Sequence, residues 1–239
     1  MTVAHVWLGC PSEADTNAAV LCDAERTRAA SFRFKRDRNS WIAAHTLLRR
    51  ALSERLPEVP PSAWRFESDL GGRPELAAPF KATGLRFSLA HAPEAVACVV
   101  TQEVACGIDV ERLTREVDVE SMGRRTASAA ERASLQALPA ADRSARFMRL
   151  WTLKEAYAKA TGSGLATPFG SLDFDLSDDI VIRVTGNGLP NHEFGFAQWT
   201  TSDGHVVAVA ASTCGGRPPQ VVLHACGADA SVTRACSLA

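Results

Sequence analysis

Apolar and polar positions alternate with period two between Val104 and Glu111. Val104, Cys106, Ile108 and Val110 fall on one face, and Ala105, Gly107, Asp109 and Glu111 on the other. This is the pattern of a half-buried strand, and it points both carboxylates the same way. Ala105 and Gly107 are small, which leaves room beside the carboxylates for something bulky. A second period, close to 3.6, runs from Asp142 to Thr161. No Gly or Pro interrupts that segment, and Gly162 stands where a helix stop is expected. Leu150, Leu153, Tyr157 and Ala160 form its apolar stripe. Trp151, Glu155 and Lys159, four apart, lie on nearly the opposite side, facing a cleft or solvent.

The rest of the chain reads as strands and helices of ordinary length. Val3 to Leu8 predicts a first strand. Glu25 to Arg36 predicts a basic helical or irregular segment. Asn39 or Ser40 is placed to cap a helix reaching about Leu56, with Ile42, Leu47, Leu48, Ala51 and Leu52 as its core, ended by Pro57, Pro60 and Pro61. Ala63 to Glu67 predicts a short strand, Gly71 to Pro74 a turn, and Leu85 to Leu89 a strand. Ala95 to Val100 is expected to pair with the Asp109 strand as a hairpin through Thr101-Gln102-Glu103. Ser128-Ala129-Ala130-Glu131 is a capping-box pattern, which accounts for Glu131 as a helix cap. Further strands are expected at 172–176, 180–184, 194–200, 206–211 and 221–225. The residues from Cys226 to Ala239 read as a loosely held tail.

Composition adds bounds. The 239 residues are 46% hydrophobic and 22% charged, which suits a globular protein with a substantial core. Val3 to Leu8 is too short for a signal-peptide core, and no stretch reaches membrane-spanning length. Seven scattered cysteines, none in a C-x-x-C pair, fit reduced thiols in a cytoplasmic protein. The net charge of −1 hides an asymmetry: Arg26 to Arg50 holds eight basic residues opposed only by Asp37. Such a cluster is a solvated helix face or a polyanion site. Few aromatics interleave with it and the chain as a whole is not basic, which argues against nucleic acid.

Taken singly, each chemical signal has a plain structural explanation: a strand ending in charged residues, and a surface ion pair on a helix. Together, two carboxylates on a strand and a carboxylate with a lysine on a helix face make a set that could hold Mg²⁺ beside a phosphate. Such ions are bound through a few carboxylates, water and substrate phosphates.

Gly107-Ile108-Asp109-Val110-Glu111-Arg112, followed about forty residues later by Trp151-Thr152-Leu153-Lys154-Glu155-Ala156, resembles the signature pair of the 4′-phosphopantetheinyl transferases. The length and both flanks resemble the surfactin-type (Sfp-like) class, and the likeness runs from about Arg33 to Leu165. The resemblance implies an α+β, two-lobed fold: a pseudo-dimer of similar halves, each a small mostly antiparallel sheet on helices, with the active site at their junction. The halves are expected at 1–104 and 105–225, followed by the tail 226–239. The implied reaction moves phosphopantetheine from coenzyme A to a serine of an acidic apo carrier protein, as in holo-[acyl-carrier-protein] synthases. A non-catalytic coenzyme A or carrier-protein binding module is the alternative, and no P-loop or kinase signature supports another phosphotransferase.

The resemblance also implies site roles. Asp109, Glu111 and Glu155 correspond to the Mg²⁺ ligands, and Lys159 to a pyrophosphate contact. Glu155 and Lys159 are the candidate catalytic residues. His91, in Phe87-Ser88-Leu89-Ala90-His91, resembles a phosphate-contacting histidine. Ala90 stands where the family has serine, and Ser88, on the same strand face, could substitute for it in part. Arg73, in Gly72-Arg73-Pro74, stands where a lysine near coenzyme A is usual, and is equally explained as an exposed turn residue. Lys154 is assigned to the same ligand, or else to anchoring the helix. Arg33 and Arg36, with Lys35 and Arg38, are chosen on charge alone for the 3′-phosphate. A monomer is expected, with no nucleic-acid or membrane partner.

Overall fold

The computed structural model describes residues 3–11, 18–68, 72–176, 183–185, 194–212 and 220–225. The chain enters through β1 (Val3–Gly9), then α1 (Asp23–Ala30) and α2 (Lys35–Arg55). A short β2 (Phe66–Ser68) and β3 (Pro74–Leu76) precede β4 (Leu85–Ala92) and β5 (Ala95–Gln102). Next come β6 (Cys106–Arg112), α3 (Val119–Thr126), α4 (Ala129–Ala137) and α5 (Ala140–Thr161). The remainder holds β7 (Asp173–Asp175), β8 (Arg183–Thr185), β9 (Phe194–Thr200), β10 (His205–Ser212) and β11 (Gln220–Ala225).

Two sheets organise these elements, in strand orders β11-β1-β5-β4 and β6-β10-β9. All pairings are antiparallel except β1 with β11, so β11 lies in the first sheet although it follows the second in sequence. The apolar alternation decides the layering. Trp7, Phe87, Val96, Cys98 and Val100 face α2, packing on Ala44, Leu47, Leu48 and Ala51. On the other face, Val6, Ala90, Ala97 and Val99 meet Ile108, Val110, Val207 and Val209 of the second sheet. Beyond it, Ala208, Ala210 and Phe196 pack against Leu153, Ala156, Tyr157 and Ala160 of α5. The order is helix, sheet, sheet, helix, an α+β fold with one helix-backed sheet in each half.

The expected hairpin between the strands at 95–100 and 104–111 does not form. Both edges of β5 are already taken, by β1 and β4, so no edge is left for β6, which pairs with β10. At the crossing, Glu103 takes φ 60° and Thr101 Oγ1 donates to the Val104 carbonyl, turning the chain out of the first sheet. Helix α2 starts at Lys35, ahead of the expected cap at Asn39 or Ser40. Ser40 is instead buried inside the helix. The short strand expected at 63–67 begins at Phe66, after a 3₁₀ turn at Pro61–Ala63. The Asp142–Thr161 helix is found, extended to Ala140 and closed by Gly162 in the left-handed region at φ 73°. The tail at 226–239 and the start of the strand expected at 180–184 lie outside the described residues.

Candidate active site

The site lies where β6 runs beneath α5. The room beside Asp109 and Glu111 is filled by that helix. A methyl group at Gly107 would overlap the Ala156 carbonyl oxygen and the Ala160 amide nitrogen of α5. Glycine therefore lets the helix backbone lie directly on the strand, and Lys159 and Glu155 come down beside the strand carboxylates.

Lys159 Nζ donates to Asp109 Oδ1 at 2.7 Å and to the Ile108 carbonyl at 3.0 Å. Asp109 is 7% exposed, and its Oδ2 is buried without a hydrogen-bond partner. Burial pushes the Asp109 carboxyl above its usual pKa, against the pull of Lys159. Burial, then the Asp109 charge, raises Glu111, whose two oxygens each accept from Arg115 at 2.9 Å. Glu155 is raised by burial and by Asp109 and Glu111, with Lys159 opposing. The three carboxylates thus feel one another's charge. In this conformation no three acidic, imidazole or thiol groups among the described residues are arranged to hold one ion; Lys159 and Arg115 occupy the oxygens that would have to turn.

A cavity of about 370 Å³ opens next to this cluster, and Lys159 belongs to both. His91 lines it from the end of β4. Partial desolvation, then the Lys159 and His45 charges, lowers its pKa, while Asp109 and Asp37 act in the opposite sense. Arg73 also lines it, but its guanidinium bridges the junction, donating to the Phe87 carbonyl at 3.3 Å, the Cys106 carbonyl at 3.2 Å and the Ala160 carbonyl at 3.5 Å. It thereby ties β4, β6 and α5 together. Ser88 lines the cavity and accepts from the Ile108 amide at 3.3 Å. Ala90 packs in the apolar layer between the sheets and does not line the cavity. A serine there would place its hydroxyl among alanines and valines.

Lys154 does not belong to the ligand-binding set. It is 1% exposed, and Nζ donates to the carbonyls of Thr126, Phe169 and Leu172 at 2.8, 2.7 and 2.9 Å. Glu131 Oε2 completes its shell at 2.6 Å. Burial lowers its pKa and Glu131 raises it back in part. Glu131 closes the capping box of α4 and accepts from the Phe174 amide, so it is structural, as its pattern predicted. Arg33 and Arg36 are exposed and do not line the cavity: Arg33 lies over the Phe34 ring, and Arg36 is 3.5 Å from Asp37.

The sequence reading missed two cavity residues, Trp41 and His45 of α2. Their spacing of four was visible. The signal that would have marked them, a bond from His45 to Glu25, joins residues on separate helices.

Comparison with known proteins completes the picture. Residues 105–210 match the 4′-phosphopantetheinyl transferase superfamily, and residues 5–103 match the N-terminal region of 4′-phosphopantetheinyl transferases. The chain is 36% identical over 166 residues to the 4′-phosphopantetheinyl transferase HetI of Nostoc sp., covering 68% of this chain and 70% of that one. It is 30% identical over 169 residues to the 4′-phosphopantetheinyl transferase psf-1 of Bacillus pumilus, covering 71% and 68%. Among solved structures, the Thermotoga maritima holo-[acyl-carrier-protein] synthase is 24% identical with a TM-score of 0.36, covering 46% of this chain and 63% of that one. With both halves matched and a relative at 36% identity, the chain belongs to the 4′-phosphopantetheinyl transferase superfamily.

Proposed function

We infer that the protein transfers the 4′-phosphopantetheine group of coenzyme A to a serine of an apo carrier protein, releasing 3′,5′-adenosine bisphosphate. The observation that carries this reading is the sharing of Lys159 between the carboxylate cluster and the cavity. A phosphoanhydride resting there would meet a cation on one side and acidic oxygens on the other.

The donor set fits a magnesium ion. It consists of hard oxygens with mutually raised pKa values, and Asp109 Oδ2 is buried without a partner. Asp109, Glu111 and Glu155 would hold Mg²⁺, which when bound neutralises charge on the pyrophosphate. Lys159 adds a second positive charge as the phosphoanhydride P–O bond breaks. The serine Oγ attacks the phosphorus bearing pantetheine. Its proton passes to Glu155, whose raised pKa suits it to accept one. The bisphosphate leaves with the electron pair of the broken bond. His91 is assigned to a phosphate, and Arg73 to bracing the cavity floor. We further assign the protein to the cytoplasm, as a monomer acting on an acidic carrier. The four cysteines among the described residues are free thiols, and the start of α2 is basic and exposed, which supports that assignment.

The test is incubation with coenzyme A, Mg²⁺ and a panel of apo carriers from fatty-acid, polyketide and peptide synthesis. A carrier heavier by one phosphopantetheine, measured by mass spectrometry, is expected. Coenzyme A binding with no mass gain on any carrier would leave a binding module instead.

A further inference from the structure

The cavity wall formed by α2 holds a polar group that the reaction outlined above does not use. His45 lines the cavity opposite His91 and Lys159, on a different element from either. Its ring stacks on Trp41 with centroids 3.8 Å apart. Its Nδ1 lies 3.2 Å from Glu25 Oε1. Glu25 is anchored in turn by Arg49, which is fully buried and donates to Glu25 Oε2 from Nη2 at 2.6 Å and from Nε at 3.1 Å. Arg49 is held by the carbonyls of Pro61 and Trp64. Burial alone would raise the Glu25 pKa, but bonds from His45, Arg49 and the Cys22 amide bring it down to about 2. The carboxylate is therefore a permanent anion behind the ring.

This arrangement fixes the chemistry of the imidazole. A carboxylate on Nδ1 keeps a proton there and leaves Nε2 as the nitrogen available to the cavity. When an anion approaches Nε2, the ring can carry protons on both nitrogens, because Glu25 stabilises the positive charge. We propose that His45, oriented by Glu25 and Arg49, is an anion-contacting residue of the coenzyme A cavity and donates from Nε2 to a phosphate of the nucleotide portion. His45, His91 and Lys159 would then surround the phosphates from α2, β4 and α5. This assignment rests on the transferase reading above.

The test is calorimetric titration of coenzyme A and of adenosine 3′,5′-bisphosphate into the native protein and three variants, each melted to confirm folding. His45→Gln keeps a donor for Glu25, His45→Phe keeps the stack on Trp41, and His45→Arg restores a cation. The two neutral variants are expected to raise Kd for both ligands roughly tenfold or more, the scale of one charge-assisted hydrogen bond. His45→Arg should recover most of that loss. In turnover the loss should appear in KM for coenzyme A with kcat little changed, because His45 is not assigned to the reacting phosphorus. A folded neutral variant that binds both ligands as tightly as the native protein would overturn the inference, as would a folded His45→Arg that restores nothing. Failure of the native protein itself to bind coenzyme A would overturn the transferase reading along with it.

Discussion

Replacing Lys154 separates a structural lysine from a ligand-binding one. Lys154→Met keeps the aliphatic stem and removes the ammonium. Four oxygens lose their partner: the carbonyls of Thr126, Phe169 and Leu172, and Glu131 Oε2. All lie in a region where Lys154 is 1% and Glu131 3% exposed, so water does not replace the lost bonds. Removing one partner of a buried ion pair costs about 3–5 kcal/mol. Three orphaned carbonyls at about 1 kcal/mol each reach the same range. Glu131 keeps the Ser128 and Phe174 amides, which favours the lower end. For a chain of this size each kcal/mol lowers Tm by about 2–4 °C, so a drop of about 6–20 °C is expected. Adding Glu131→Gln should recover part of it, because the uncompensated charge disappears. The assay is thermal melting with urea unfolding, with kcat/KM measured well below the new Tm. A native Tm combined with a tenfold rise in KM for coenzyme A would refute the reasoning and return Lys154 to the ligand.

Four further outcomes follow from the same geometry. Asp109→Ala should fold and lose two or more orders of magnitude in transfer rate, roughly what removal of a metal ligand costs; near-native turnover in the carrier mass assay would remove Asp109 from the site. Lys159→Ala should lower kcat/KM more than Lys154→Met when both are measured at a temperature where both are folded. Gly107→Ala should cost about 3 kcal/mol or more, because the obstructing atoms belong to the backbone of α5 and the whole helix must shift; a native Tm would contradict that packing. Mg²⁺ should raise Tm more at pH 8 than at pH 5. Burial holds Asp109, Glu111 and Glu155 above the usual carboxylate range, so the folded state retains protons that the unfolded chain has lost. Native stability then falls as pH rises through those raised values, and a bound cation offsets the loss. Equal shifts at both pH values would count against a metal at these carboxylates.

The sequence alone determined the local pieces of this protein. Period-two alternation found β6 and put Asp109 beside Glu111. Period 3.6 with a glycine stop found α5 and put Glu155 beside Lys159. These features were legible because strand and helix geometry relate residues two or four positions apart, whatever else the chain does. Glu131 was legible for the same reason, since a capping box closes within four residues. Contacts between elements were not legible. The hairpin failed because the pairing of β5 is settled by which strands already hold its edges, and β1 and β4 come from elsewhere in the chain. Lys154 adjoins Glu155 in sequence, yet α5 is buried nearly all round, and only the docked segments of Thr126, Phe169 and Leu172 supply the carbonyls that consume its charge. Gly107 looked like space for a ligand and is space for a helix. Arg73 joins three elements, and His45 takes its orientation from a carboxylate on another helix. In each case the deciding partner is distant in sequence, and only the packing of two helix-backed sheets brings it within hydrogen-bond reach.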